Sequence, residues 1–314
     1  MTEQKEATRE RPLFSVLIPT WNNLAFLKLC IRSIEQNSTY RHEILIHVND
    51  GSDGTLEWVR QSGYAYRHTP KNVGVSWALN GLRPLVTTDY VLFLNDDMYV
   101  CPEWDKHLWD EIQRIGHNRF FLSSTLLQPR PFFSKAVIAP ANYGETVETF
   151  DEARLLKEYN TLPHPDWKGA TWPPNIVHRD LWDLVGGYSV EFTPGLGSDP
   201  DFTAKLYLAG VRIFKGVSAS RVYHFEARST GRARKNDGML MFLRKWRLTP
   251  RAFLKTFMQR GEPYDAPARN EQVFKAEQWR CRLKYCLTMF KNDQTYRLWD
   301  ESNPFKVFTD EAKD

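Results

Sequence analysis

Between Phe14 and Leu94, short apolar runs alternate with stretches of helical period, and only a few residues link one to the next. Phe14-Ser15-Val16-Leu17-Ile18 reads as a strand stopped by Pro19. Leu24 to Gln36 reads as a helix with Leu24, Leu27, Ile31 and Ile34 on one face. A second strand covers Glu43 to Val48, followed by the turn-rich Asn49-Asp50-Gly51-Ser52-Asp53-Gly54-Thr55. A helix near Thr55 to Gln61, a strand near Tyr64 to His68, a helix over Val73 to Val86 and a strand over Tyr90 to Leu94 complete the series. Few folds accept this pattern. It predicts an α/β architecture, a doubly wound, mostly parallel sheet flanked by helices. Right-handed crossovers put every strand-to-helix link on one edge. Residues near 20, 50, 72 and 96 are therefore expected to share a cleft.

From about Leu126 to Ala170 the pattern weakens among many Pro and aromatic residues, which suggests an insertion over that cleft with one helix at Asp151 to Tyr159. Order returns with Asn175 to Val185, a helix from Pro200 to Ala209, and strands at Val211 to Phe214 and Arg221 to His224. From Asp237 to about Phe290 the chain is mostly helical.

With 314 residues, 42% of them hydrophobic, one large domain with appendages can bury a substantial core. A net charge of +4 is too small to argue for nucleic acid. The basic residues gather late, at Arg228, Arg232, Arg234, Lys235, Arg244, Lys245, Arg247 and Arg251. Such a cluster suits phosphate groups or an anionic membrane surface, and equally a solvated face or a dimer-forming appendage. Cys30, Cys101, Cys281 and Cys286 form no CxxC pair, so a reduced, cytoplasmic compartment is expected. Met1 to Arg11 is polar, unlike a signal peptide, and no run of about 18 apolar residues occurs.

The chemistry concentrates at Leu94-Asn95-Asp96-Asp97-Met98-Tyr99, where two adjacent carboxylates follow a buried run. They repel each other unless a cation joins them to something anionic, or unless they are a polar strand end facing solvent. There is no GxGxxG or P-loop, which argues against an ordinary dinucleotide or nucleoside-triphosphatase site. Pro19-Thr20-Trp21-Asn22 offers an aromatic that can stack on a base. Asp50 can accept an N–H from a base edge or cap its own turn. Lys71-Asn72-Val73-Gly74 and Asn80-Gly81 supply a cation and a close-approach glycine. Asp199-Pro200 has the form of an N-cap and first helical residue.

Taken in order, Ser15–Asn22, Val48–Thr55, Lys71–Gly81 and Leu92–Tyr99 resemble the nucleotide-sugar-dependent glycosyltransferases of family 2, which have the GT-A fold. A more divergent fifth stretch runs from Gly186-Gly187-Tyr188 through Asp199-Pro200-Asp201 to Val222-Tyr223-His224, so the likeness spans roughly residues 13 to 225. The resemblance implies a flexible tail over 1–12, a nucleotide-binding half over 13–125, an acceptor-binding half over 126–236 and a C-terminal helical extension over 237–314. It implies that Pro19 and Trp21 hold the base and Asp50 hydrogen-bonds it, with Asn22, Lys71 and Asn72 beside the donor. Asn95, Asp96 and Asp97 match the family's acidic motif, Asp96 near the ribose and diphosphate and Asp97 on Mn²⁺ or Mg²⁺. His224 matches a residue that completes the metal site, and Asp199 the general base.

The activity so implied moves a sugar, most often UDP-linked, to a hydroxyl of a glycan or lipid-linked saccharide with inversion. A loop from Glu226 to Arg232 is expected to close on the diphosphate through Arg228 and Arg232, and Lys245-Trp246 to meet a lipid-linked acceptor at a membrane. The chain departs from the pattern at Asn49, often Asp, at Ser198, usually Glu, and in a turn one residue short after Ser52. A degenerate binder of nucleotide or glycan and a sugar nucleotidyltransferase are the alternatives. The intact Asp96, Asp97 and Asp199 argue against the first, and the missing glycine-rich, arginine-bearing loop against the second.

Overall fold

The computed structural model describes residues 11–226, 236–266 and 270–288. Its first half follows the alternation. Strand β1 (Phe14–Trp21), helix α1 (Leu24–Asn37), β2 (Glu43–Asn49), α2 (Thr55–Ser62), β3 (Ala65–Thr69), α3 (Gly74–Leu82) and β4 (Tyr90–Phe93) come in that order. β5 (Met98–Val100), α4 (Trp104–Ile115) and β6 (Phe120–Leu127) follow, then β7 (Val137–Ile138), α5 (Glu152–Glu158), β8 (Trp167–Lys168) and β9 (Asn175–His178). The chain continues through α6 (Arg179–Val185), α7 (Ser198–Leu208), β10 (Ile213–His224), α8 (Gly238–Trp246), a π-helical turn (Ala252–Phe257) and α9 (Glu271–Thr288).

The main path of the sheet runs β3-β2-β1-β4-β9-β6-β10-β5. β1 pairs in parallel with β2 and β4, and β6 in parallel with β10. β9 lies antiparallel between β4 and β6, and β5 returns antiparallel along β10. Apolar side chains fill both faces, as a sheet covered by helices requires. Val16, Ile18, Ile44 and Ile46 join Leu27, Ile31 and Leu108 on one side. Leu17 and Leu45 join Leu79, Phe121 and Phe202 on the other. Met241, Phe242, Phe253 and Leu254, from the C-terminal extension, belong to this second cluster and are part of the core.

Three local expectations are corrected. Pro19 does not stop β1, which continues to Trp21. Pairing with β4 ends at Leu17↔Phe93, and the Leu17 carbonyl points to that side, where it accepts from the Leu94 N–H. Two residues on, Pro19 faces the same side beyond the end of β4, so its missing N–H breaks no ladder bond. The two late strands are one strand, β10, whose register against β6 shifts between Val217 and Arg221. The region over 126–170 packs its Ala141, Tyr143 and Leu155 against Leu29, Tyr99, Tyr223 and Phe225, so it braces α1, β5 and β10.

Candidate active site

β4 ends at Phe93, and the chain reverses through Asn95-Asp96-Asp97 into β5, leaving both carboxylates buried at the sheet's carboxyl edge. β5 runs back along β10 with Met98 opposite His224. That pairing brings His224 Nε2 to 3.4 Å from Asp97 Oδ2. The Phe225 N–H donates to the Asp97 carbonyl at 3.1 Å and fixes the turn. Thr20, at the end of β1, donates its hydroxyl to Asp96 Oδ2 at 2.7 Å. Burial alone would push the His224 imidazole down. The Asp97 charge and hydrogen bond, with the charges of Glu226 and Asp96, outweigh it and hold the ring above its ordinary value.

The β1 and β2 links meet beside this corner. Asn22 sits in the left-handed region at φ 46° and Asp50 at φ 63°. The Asn22 amide donates to Asp50 Oδ2 at 2.9 Å, and its carbonyl accepts from the Gly51 N–H at 2.8 Å. Asp50 Oδ1 accepts from the Ser52 N–H at 3.2 Å, so Asp50 caps its own turn. The Asn22 hydrogen bond, with those of Ser52 and Trp21 and against slight burial, holds the Asp50 carboxyl below the usual carboxylate range. Asn49 has a use for its amide: Nδ2 donates to the Thr20 carbonyl at 3.4 Å while Oδ1 accepts from Val73 N–H at 3.0 Å. A carboxylate could not supply that donor. Asn72 Oδ1 accepts from the Gly74 N–H at 2.9 Å, and Lys71 is exposed on the same link.

Gly74, at φ +77°, lies so close to the segment leading into α7 that an added Cβ would sit 2.6 Å from Pro194 Cα. The Val75 N–H donates to the Pro194 carbonyl at 3.1 Å. The segment leading into α7 is therefore held against the start of α3 through this contact. Asp199 is not the N-cap of α7: Gly197 is, at φ 94°, and Asp199 lies inside the first turn. Its carboxylate receives the Tyr188 hydroxyl at 3.5 Å. Tyr188 stacks on Phe202 at 4.5 Å and meets Phe93 edge-on at 5.9 Å, which places this corner beside the end of β4. Burial drives the Asp199 carboxyl up to about 7, while the Tyr188 hydroxyl and the Arg260 guanidinium pull it down.

Thr20 and Tyr188 stand inside the motif stretches with no role expected of them, whereas Gln128, whose Nε2 lies 3.1 Å from His224 Nδ1, and Arg260 lie outside every motif. Arg260 comes from the C-terminal extension. Its guanidinium lies 3.6 Å above Trp172, and the absent Cβ of Gly169 would meet its Cα at 2.8 Å. Burial lowers it to about 10, with Asp199 opposing. Arg228 and Arg232, and the loop expected there, lie outside the described residues. Lys245 and Trp246, expected at a membrane, turn inward: Lys245 Nζ and Trp246 Nε1 each reach Asp201 Oδ1 at 2.8 Å.

Among the described residues no three His, Cys, Asp or Glu side chains form a metal cage. Asp97 Oδ2 and His224 Nε2, 3.4 Å apart, could offer a cation one oxygen and one nitrogen. Mg²⁺ or Mn²⁺ held largely by phosphate oxygens and water needs no more from a protein. A cavity of about 660 Å³, lined by Pro12, Tyr40, His42 and Tyr64, opens at the opposite edge, where β1 to β3 begin.

A mostly parallel sheet with an acidic turn at its carboxyl edge is the GT-A-type fold. Residues 15–140 match the family model Glycosyl transferase family 2. The chain is similar to Escherichia coli chondroitin synthase, 25% identical over 251 residues, covering 68% of this chain and 34% of that protein. It is likewise similar to the uncharacterized protein y4gI of Sinorhizobium fredii, 25% identical over 242 residues, covering 70% of this chain and 25% of that protein. The chain thus spans about a quarter to a third of these relatives. The crystal structure of S. aureus TarS 1–349 in complex with UDP has the same fold, at a TM-score of 0.53 and 15% identity over 94% of this chain and 75% of that one. Among the described residues no helix is long and apolar enough to cross a membrane.

Proposed function

We propose that the chain transfers a sugar from a nucleoside-diphosphate sugar to a hydroxyl of a glycan or lipid-linked saccharide, inverting the anomeric centre. Chief support comes from the 3.4 Å approach of His224 Nε2 to Asp97 Oδ2 at the strand edge where Asp96 and Thr20 also meet. A UDP-linked donor is favoured by the UDP complex of the similarly folded TarS. Pro19 and Trp21 hold the base, Asp50 accepts its N–H, and Asn22, Lys71, Asn72, Asn95 and Asp96 border the ribose and diphosphate, with Arg228 and Arg232 as further cations for the diphosphate. Asp97 and His224 would hold Mg²⁺ or Mn²⁺, which would supply positive charge for the diphosphate leaving group.

Asp199 takes the proton of the acceptor hydroxyl as its oxygen bonds to the anomeric carbon and the bond to the diphosphate breaks. A carboxyl near 7 suits that task, because a base works best with a pKa close to the working pH. The Tyr188 hydroxyl keeps one carboxylate oxygen oriented, leaving the other for the acceptor.

The test measures diphosphate release from a panel of nucleotide sugars, with Mn²⁺ and with chelator, for the native protein and Asp97→Ala. One donor should be turned over in a metal-dependent manner, and the variant should lose that turnover. Equal rates in chelator, or in Asp97→Ala, would remove the metal assignment; retention of configuration in the product would remove single displacement.

A further inference from the structure

His224 has two ring nitrogens, and the proposed function uses only Nε2. We infer that Gln128 positions His224 by holding a proton on Nδ1, which keeps the Nε2 lone pair aimed beside Asp97 for a divalent cation. The inference rests on the reading of His224 as a metal ligand.

Gln128 directly follows β6, whose Leu127 pairs with Tyr223 of β10, so the parallel register sets Gln128 beside His224. The residue is buried, with 5% of its surface exposed. Its backbone is pinned twice: its N–H donates to the Ile138 carbonyl at 3.0 Å, and its carbonyl accepts from the Ala141 N–H at 2.7 Å. The side-chain amide lies on the ring, Nε2 to Nδ1 at 3.1 Å, and the amide oxygen beside it is buried with no partner.

With the amide nitrogen toward the ring, the matching tautomer is the one in which Nδ1 accepts and the proton on Nε2 faces Asp97 Oδ2. A cation on Nε2 requires the opposite tautomer, with Nδ1–H as donor. The two ends of a carboxamide are nearly the same size, so a half-turn of the Gln128 amide brings Oε1 to Nδ1 at similar spacing. Gln128 can thus serve His224 both without and with the ion. Metal-bound histidines commonly donate their second N–H to such an acceptor, which fixes tautomer and ring orientation.

The test is Mn²⁺ affinity in the presence of UDP, read from loss of the free-ion magnetic resonance signal and so independent of turnover. Gln128→Leu should weaken Mn²⁺ about 10–100-fold. Gln128→Glu, which keeps an acceptor on Nδ1–H, should hold Mn²⁺ at least as tightly as the native protein. In a His224→Ala background Gln128→Leu should have no further effect, since both act through one ring. Native affinity in Gln128→Leu alongside weak binding in His224→Ala would overturn the role of Gln128 while sparing the metal site. Loss of affinity in a folded Gln128→Glu equal to that in Gln128→Leu would do the same. Unchanged binding in His224→Ala would remove the ligand reading and this inference together.

Discussion

Asp199 connects rate and stability to pH in opposite senses, so replacing it with Asn tests its assignment twice. Burial carries its carboxyl to about 7. If that group is the base, kcat/KM at saturating metal should rise tenfold per pH unit below 7 and level off above it. At pH 5 only about 1% of the carboxylate is ionised, so the rate should be about 100-fold below the plateau. Asp199→Asn should lose about 10²–10⁴-fold at the plateau. The stability sign runs the other way. An unfolded Asp releases its proton near 3.9, whereas the folded one keeps it to about 7, so between those values the folded state binds more protons and stability falls as pH rises. Moving a carboxyl that far corresponds to roughly 4 kcal/mol at the limit, and the solvent reaching part of this side chain brings it nearer 2 kcal/mol. Asn escapes that cost. Urea unfolding from pH 4 to 8 should show the native protein losing stability relative to Asp199→Asn, while diphosphate release shows the variant inactive. A flat kcat/KM from pH 5 to 8, or parallel stability curves, would refute the reasoning.

Three further substitutions probe the supports of the site. Thr20→Val removes the hydroxyl that Asp96 accepts in a buried setting and should cost about 1–3 kcal/mol in urea unfolding, with weaker donor binding by calorimetry. Lys245→Met leaves the fully buried Asp201 with only the Trp246 N–H at Oδ1. The lost charge-assisted bond should cost about 1–3 kcal/mol, read as a lower thermal midpoint. Gly74→Ala demands a left-handed alanine whose Cβ lies 2.6 Å from Pro194 Cα, so it should destabilise by about 2 kcal/mol or more and raise KM for the donor.

How legible each part was in the sequence depends on the range of the interactions that set it. The first half of the sheet was legible because each strand and helix there carries its own period, and parallel pairing by short crossovers leaves one order of assembly. The acidic turn followed, since its position at the carboxyl edge needs only the strand before it. β10 was read as two strands because Ser218-Ala219-Ser220 carries no apolar signal; the bulge is set by β6, nearly a hundred residues away in sequence. β6 escapes the periodicity because Ser123-Ser124-Thr125 interrupts its apolar run, although Phe120 to Leu127 is buried throughout. The dipeptide Asp199-Pro200 has the form of an N-cap, but Gly197 begins the helix two residues earlier, and the Asp199 carboxylate accepts from the Tyr188 hydroxyl instead. Gln128 and Arg260 depend wholly on long-range geometry, one on a β6–β10 register and the other on a C-terminal segment admitted by Gly169. The motif stretches carry Asp50, Asp96 and Asp97, whereas the groups around Asp199 come from elements whose pairing no local pattern announces. Arg260 therefore links the C-terminal extension to Asp199: cutting the chain at residue 236 would strip Asp199 of its nearby cation as well as Phe242 and Phe253 from the core.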